Sequence, residues 1–213
     1  MHSKNRNRLS GFSLVELLVV VVVMLVAAGY AVPNILNFMH MARLRGTASD
    51  FSGLIQQLRI RSVQDNRSYS MYINAIAGAT PSTAYVDLKQ TAAIAAGDPE
   101  IVLPTEVTLV AAASAPATAN LSGQLLPAGT PASVGPKDAA LASGTPITFS
   151  PRGLPCKPTA GICSGAAGLG PIAYWAFFQN TTTTNWEAVT VSPAGRIQKW
   201  IYGASASAWS KMY

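Results

Sequence analysis

The chain has 213 residues, of which 49% are hydrophobic and 11% are charged, and its formal net charge is +6. A single soluble domain is excluded as the first hypothesis, because many apolar residues form one run near the N-terminus and much of the rest is alanine in the middle. Part of the positive charge lies in the first eleven residues. The mild basic bias of the remainder permits binding to an acidic polymer but does not require it.

The N-terminal segment combines a basic flank with a long apolar run. The first eleven residues, MHSKNRNRLSG, are short and polar, and residues 12–32 are apolar apart from Ser13, Glu16 and Tyr30. As a helix rising about 1.5 Å per residue, the run would span roughly 30 Å, which is the thickness of a bilayer core. The positive flank predicts a cytoplasmic N-terminus, with the chain after about residue 33 outside the cytoplasm.

Two ordinary interpretations compete for this helix. A secretory signal peptide needs a small-residue cleavage site, which Ala27-Ala28-Gly29 provides, but the apolar run is long for one and carries a carboxylate. A plain single-pass anchor explains the length and gives no reason for Glu16. A lone charge in an apolar helix costs a few kcal/mol, and such residues are usually functional.

The segment Gly11-Phe12-Ser13-Leu14-Val15-Glu16 resembles the processing motif of type IV prepilins and type II secretion pseudopilins. The resemblance implies that a prepilin peptidase cuts between Gly11 and Phe12 and N-methylates Phe12. It also implies assembly with other pilins or pseudopilins. Glu16 would then neutralise the methylated amine in the filament core, since a buried charge is tolerable only when it is paired.

A helical pattern continues beyond Pro33, which matches a proline common in the same helix of that family and should kink or locally melt it near Gly29–Pro33. Small and apolar residues then recur at spacings of four and three. This pattern predicts an amphipathic helix over residues 34–66 that covers a sheet and ends near Asp65–Asn66. Its predicted buried stripe consists of Leu44, Ala48, Phe51, Ile55, Leu58 and Ser62.

Residues 67–213 are predicted to form a β-rich head. The strand candidates are Tyr69–Ile73, Ala84–Leu88, Glu106–Ala111, Ile147–Ser150, Ile172–Asn180, Trp186–Ser192 and Arg196–Tyr202. Pro193-Ala194-Gly195 should join the last two as a hairpin. The Ala/Thr/Pro/Gly-rich residues 112–146 are expected to be an extended surface loop or insertion, in which an alanine-rich part could hold a short helix.

The resulting fold class is α+β: a long N-terminal transmembrane and assembly helix packed on a C-terminal antiparallel sheet, as in the pilin fold. One core face is expected from Trp175, Phe177, Val189, Val191, Ile197 and Trp200.

The two cysteines, Cys156 and Cys163, lie close together. In an exported protein such a pair indicates one disulfide, which would pin a loop and contribute about 2–3 kcal/mol. A zinc site would need further ligands, but His2 lies in the leader and His40 is expected beside the membrane. With both histidines expected outside the head, and no catalytic set or phosphate loop visible, we expect no enzyme activity, no metal and no cofactor.

A second resemblance lies in the head. Phe149-Ser150-Pro151-Arg152-Gly153 and the segment 189–197 are similar to the "F-x-P-x-G" and "S-x-x-G-R" motifs of the GspH/FimT group of minor pseudopilins. The likeness covers the N-terminal third and the last quarter of the chain. It implies a low-abundance subunit at or near a filament tip that helps to prime assembly. The subunit would be anchored in the inner membrane, with its head periplasmic or extracellular.

Some FimT-like pilins bind DNA for uptake through basic residues of the closing hairpin, which is the alternative function. Here Arg196 and Lys199 would contact phosphates, while the family pattern favours a second arginine where this chain has Gln198. Lys211 and the aromatic residues Trp200, Tyr202, Trp209 and Tyr213 would assist, the aromatics by stacking on bases. In the plain structural interpretation, Arg196 holds the hairpin by hydrogen bonding and Lys199 is solvated.

Overall fold

The computed structural model describes residues 13–74, 82–126, 136–138, 146–158, 163 and 172–212. The chain divides into two compact units, Met1–Met39 and His40–Tyr213. The predicted leader, residues 1–11, and the expected cleavage site between Gly11 and Phe12 lie outside the described residues.

Helix α1 runs from Leu14 to Gln64. Among the described residues, it is the one helix that is long enough and apolar enough to cross a membrane. Pro33 lies inside it, and the helical conformation continues through this residue. Local melting at Pro33 is therefore not observed, and the kink stays a prediction. The side-chain amide of Asn34, the residue after Pro33, donates to the carbonyl of Tyr30, one helical turn earlier, at 3.4 Å.

The predicted buried stripe of α1 is confirmed, since all six of its residues are buried. The helix ends where the sequence indicated. Asn66 adopts a left-handed conformation with φ of 51°, and the Arg67 amide reaches back to the Ser62 carbonyl at 3.1 Å. This six-to-one bond after a left-handed residue satisfies a carbonyl of the last turn and stops the helix.

The strands in the described part of the head form two sheets. The first has five antiparallel strands in the order β3 (Glu100–Val102), β2 (Thr83–Asp87), β1 (Tyr69–Asn74), β6 (Ile147–Phe149) and β7 (Pro155–Cys156). The second has the order β11 (Ala208–Lys211), β10 (Ile197–Gly203), β9 (Trp186–Val191), β8 (Tyr174–Asn180) and β4 (Val107–Val110). The short strand β5 (Lys137–Asp138) pairs with β8 in parallel.

The α+β class is thus confirmed, with a long apolar helix followed by antiparallel sheets. All seven strand candidates correspond to observed strands, and β9 and β10 form the predicted hairpin. The four further strands β3, β5, β7 and β11 have between two and four residues each, and none was predicted.

The expected single core face is wrong, because the residues divide between two faces of the second sheet. Val189 and Val191 join the α1 stripe in one cluster, against which Ile197 packs. Trp175, Phe177 and Trp200 form a second cluster, which also contains Ala188, Trp209, Leu121 and Leu125. Successive side chains of a strand point to opposite faces, and in β8 and β9 both faces are buried.

The second cluster is covered by residues that were expected to form an extended loop. A 3₁₀ turn at Ala112–Ser114 is followed by helix α2 (Thr118–Leu125), whose Leu121 and Leu125 are buried against the tryptophans. The alternative of a short helix in this alanine-rich part is confirmed, and the segment is a cap on the sheet.

Cys156 and Cys163 are joined by a disulfide. Cys156 is buried, and its carbonyl accepts a hydrogen bond from the hydroxyl of Tyr174 at 2.6 Å. The amide of Cys163 donates to the Ser68 hydroxyl at 3.4 Å, so the disulfide-bonded Cys163 also contacts the connection between α1 and β1.

Candidate functional site

The first candidate site is the apolar part of α1. From Leu14 to Met39 its large hydrophobic side chains are between 43% and 80% exposed. An aliphatic surface of this extent is not stable in water and requires lipid or other apolar helices around it. Glu16 lies in the first turn and is exposed, where the helix dipole favours a carboxylate. The segment therefore has the composition of a membrane anchor with one carboxyl group, that of Glu16, in its first turn.

A polar cluster marks the start of the second unit. His40 Nδ1 lies 2.8 Å from Glu106 Oε2, and the Arg43 guanidinium donates to Glu106 Oε1. The bond from Arg43, with help from His40, lowers the pKa of Glu106 from its ordinary value against the opposing effect of burial. The expectation that both histidines lie outside the head is wrong for His40. Its carbonyl also accepts a bond from the Asn180 amide at 3.4 Å.

The head contains two turns with the same sequence pattern, Ser-Pro-x-Gly, at Ser150–Gly153 and Ser192–Gly195. In each, the glycine amide donates to the serine carbonyl at 2.8 Å. Both glycines have positive φ, +71° at Gly153 and +75° at Gly195, a conformation that side chains disfavour. These turns are the centres of the two head motifs singled out in the sequence.

The two turns meet against Arg59 of α1. Its guanidinium donates to the Gly195 carbonyl at 2.9 Å. A Cβ at Gly195 would lie 2.8 Å from the carbonyl oxygen of Gly153, and one at Gly153 would lie 3.0 Å from Val63 Cγ2. The motif glycines thus allow the hairpin turn, the other turn and the helix to approach closely. The role of Arg59 was missed, although the repeated tetrapeptide could have pointed to a shared partner.

A groove opens beside this junction, between α1 and the start of β10. It has a volume of about 480 Å³ and adjoins a second cavity of about 200 Å³. The first is lined by Gln56, Arg59, Ile60, Val63, Gln64, Arg196 and Ile197. The second is lined by Ser52, Gln56, Arg196, Ile197, Gln198, Lys199, Lys211 and Met212. We call the two together the basic groove.

The basic residues predicted for the hairpin meet in the basic groove. The exposed Arg196 closes the hairpin through its backbone: its carbonyl accepts from the Ser192 amide at 2.9 Å, and its amide donates to Ser192 Oγ at 3.2 Å. Lys199 is not merely solvated, since its ammonium donates to Ser49 Oγ at 2.9 Å. The Lys211 ammonium lies 5.3 Å from the centre of the Trp200 ring.

Two of the aromatic residues expected to stack on bases, Trp200 and Trp209, do not lie on the surface. Trp200 and Trp209 are buried, and their indole N–H groups donate to Thr190 Oγ1 and the Pro116 carbonyl, each at 2.8 Å. Tyr202 is half-buried with its ring centre 5.4 Å from that of Trp209. Tyr213 lies outside the described residues. The stacking expectation is therefore wrong for both tryptophans, which are core.

A buried carboxyl lies under α1 at the other end of the hairpin. The Glu187 side chain is 2% exposed, its Oε1 is 3.7 Å from Arg45 Nε, and its Oε2 has no hydrogen-bond partner among the described residues. Burial raises the pKa of Glu187 to about 7, although Arg45 and Lys199 act in the opposite direction. Glu187 shares its strand face with Val189 and Val191, an alternation that could have indicated its burial.

A family model described as the prokaryotic N-terminal methylation motif matches residues 6–32. The match contains the predicted cleavage site and the apolar run with Glu16. The match shows that this segment carries the N-terminal methylation motif.

No curated protein matches the chain. Among solved structures, it is similar to the type IV minor pilin FimU of Pseudomonas aeruginosa, with 16% sequence identity and a TM-score of 0.45. The likeness covers 82% of this chain and 96% of that one.

Proposed function

We propose that this pilin-like chain is a minor pilin or pseudopilin subunit. A prepilin peptidase would cut between Gly11 and Phe12 and N-methylate Phe12, and the mature chain would assemble with other subunits into a type II secretion pseudopilus or a type IV pilus. The observation that carries the proposal is the methylation-motif match over residues 6–32, on a helix whose aliphatic side chains are exposed from Leu14 onward. Its work is interaction rather than catalysis.

The proposed topology is a single pass through the inner membrane with the N-terminus in the cytoplasm and the head outside it. The basic leader supports this orientation, since positive flanks remain cytoplasmic. The disulfide between Cys156 and Cys163 supports it independently, because such bonds persist in oxidising compartments.

The proposed place in the filament is at or near the tip, where the subunit primes assembly. Support comes from the two Ser-Pro-x-Gly turns, which lie in the motifs that resemble the GspH/FimT group. The test is quantitative mass spectrometry of sheared, purified filaments. A minor subunit should be present far below a one-to-one ratio to the most abundant pilin, and near-equal abundance would contradict the assignment.

Nucleic-acid capture through the hairpin is the second candidate. One observation favours it: Arg196, Lys199 and Lys211 come together in the basic groove. Two weigh against it, because Lys199 is bonded to Ser49 and the two tryptophans are buried. A salt-dependent gel shift of the full chain in detergent tests it, and absence of binding at low salt would remove this candidate.

A further inference from the structure

We infer that the basic groove binds an extended peptide segment of a neighbouring filament subunit, and that this segment carries aliphatic side chains next to carboxylates. The inference rests on the proposed function, which supplies the neighbouring subunit. The groove is formed by the last turns of α1 and the start of β10, which Arg59 joins through its bond to Gly195.

The helical wall of the groove is aliphatic. Ile60 and Val63 are 53% and 51% exposed, and both face the same cavity, with Ile197 of the hairpin beside them. Single exposed aliphatics are ordinary, but two of them in a concave site are typical of a surface that contacts a partner. Aliphatic side chains of the partner would be removed from water here.

The remaining wall is cationic. Arg59, Arg196, Lys199 and Lys211 line the groove, and no carboxylate lines it within the described part of the chain. The Arg196 side chain has no hydrogen bond or ion pair with any described residue, so its guanidinium is free to bind a carboxylate in a bidentate manner. The Arg59 guanidinium is already bonded to the Gly195 carbonyl, and this bond fixes a second cation at the floor of the groove.

The combination favours a peptide over a nucleic acid. Single-stranded nucleic acids are bound by cations that follow the backbone and by aromatic side chains on which bases stack. No aromatic residue is among those that line the groove in the described chain. Aliphatic side chains beside guanidinium groups instead match alternating aliphatic and acidic residues of a peptide.

The experiment measures fluorescence anisotropy of a labelled Gly-Ser-Leu-Glu-Leu-Glu-Leu-Gly-Ser peptide with the full chain in detergent micelles. The same peptide with glutamine in place of glutamate and a labelled oligothymidylate are the comparison probes. Arg196→Gln and Ile60→Ser test the two walls. Arg61→Gln and Ile94→Ser are matched controls, because Arg61 and Ile94 are exposed and line neither cavity.

The acidic peptide should bind at least about tenfold more tightly than the glutamine peptide, in line with the strength of charge-assisted hydrogen bonds. Arg196→Gln and Ile60→Ser should each weaken its binding about tenfold, while both controls leave it unchanged. Four results would overturn the inference: no binding, equal binding of the glutamine peptide, tighter binding of oligothymidylate, or equal loss in the controls. Self-association of the chain that Arg196→Gln abolishes would assign the groove to a second copy and also overturn it.

Failure of this inference and failure of the proposed function give different results. The groove variants leave residues 6–32 unchanged, so a prepilin peptidase should still process them normally. A processed chain that binds no peptide contradicts only the groove assignment. A chain that is never processed contradicts the proposed function.

Discussion

At the scale of single residues, the carboxyl of Glu187 makes the stability of the head depend on pH. Its side chain is 2% exposed and meets the guanidinium of Arg45 at 3.7 Å, a distance too long for a hydrogen bond. The charged form is therefore poorly compensated, and burial raises the pKa from the ordinary 4.5 to about 7.

This raised pKa predicts that the head loses stability as pH rises. Below about 4.5 the carboxyl is protonated in both the folded and unfolded states; between 4.5 and 7 the unfolded chain releases its proton while the folded chain retains it. The free energy of unfolding should fall across this window by up to about 3 kcal/mol and then level off. Thermal unfolding of the full chain in detergent, followed by tryptophan fluorescence, measures it.

Glu187→Gln should remove this pH dependence and stabilise the head above about pH 7. Glu100→Gln is the matched control, since Glu100 is an exposed carboxylate at a sheet edge. An unchanged slope between about pH 5 and 7 in Glu187→Gln would show that another group is responsible.

A second prediction concerns the loss of stability when either turn glycine, Gly153 or Gly195, is replaced by alanine. Gly195→Ala combines strain at φ of +75° with a contact of 2.8 Å to the rigid Gly153 carbonyl, and should cost about 2–3 kcal/mol. Gly153→Ala has similar strain at +71° but meets a movable Val63 methyl at 3.0 Å, and should cost about 1–2 kcal/mol. Urea unfolding of both variants tests the order, and an equal or reversed loss would contradict the close packing of the two turns.

Single-residue roles were the least predictable from sequence. The pairing of the cysteines followed from their number and spacing. The partners of Arg59, Glu187 and His40 lie between 66 and 142 positions away in the sequence, so only the folded chain brings them together. Trp200 was expected in the core, but only the alternative function assigned a role to Trp209, because a strand pattern alone does not reveal that a second layer covers the outer face of the sheet.

At the scale of elements, α1 was the most predictable part of the chain. A helix needs only local hydrogen bonds, and its four-and-three repeat marks which side is buried. Strands of two to four residues, such as β3 and β7, offer too few alternations for a pattern, and their existence depends on distant partners.

The apolar part of α1, from Leu14 to Met39, gives an element-scale prediction. Glu16→Ala should leave the chain processed and inserted in the membrane but strongly reduce its amount in sheared filaments, because the methylated amine would be buried without a counter-charge. The measurement is quantitative immunoblotting of membrane and filament fractions. Asp50→Ala is the control, since Asp50 is an exposed acid on the same helix. Normal incorporation of Glu16→Ala would exclude the charge-pairing role.

Helix α2 gives a further prediction at the scale of elements. Leu121 of α2 is fully buried in the cluster that contains the tryptophans, so Leu121→Ala should cost about 2–5 kcal/mol and change the tryptophan emission. Leu154→Ala, at a residue 38% exposed, should cost well under half as much. A neutral Leu121→Ala would mean that α2 does not cover the sheet in solution.

At the scale of the whole molecule, the order of the parts could be predicted from the sequence, but the arrangement of the strands in the head could not. The basic N-terminal residues, the apolar helix and the β-rich C-terminal part follow from composition and periodicity. Two sheets with crossovers between distant strands do not, because strand pairing joins segments such as β1 and β6 that are separated by more than seventy residues. The cap formed by α2 was recognisable only as one option, since its alanine-rich sequence also suits a loop.

The central claim is that the chain is processed as a prepilin. Mass spectrometry of the protein purified from membranes or filaments of cells that contain a prepilin peptidase tests it directly. The account predicts a mature chain that begins at N-methylated Phe12 and contains the Cys156–Cys163 disulfide. A chain that retains residues 1–11, or one that begins after Ala27-Ala28-Gly29, would contradict it.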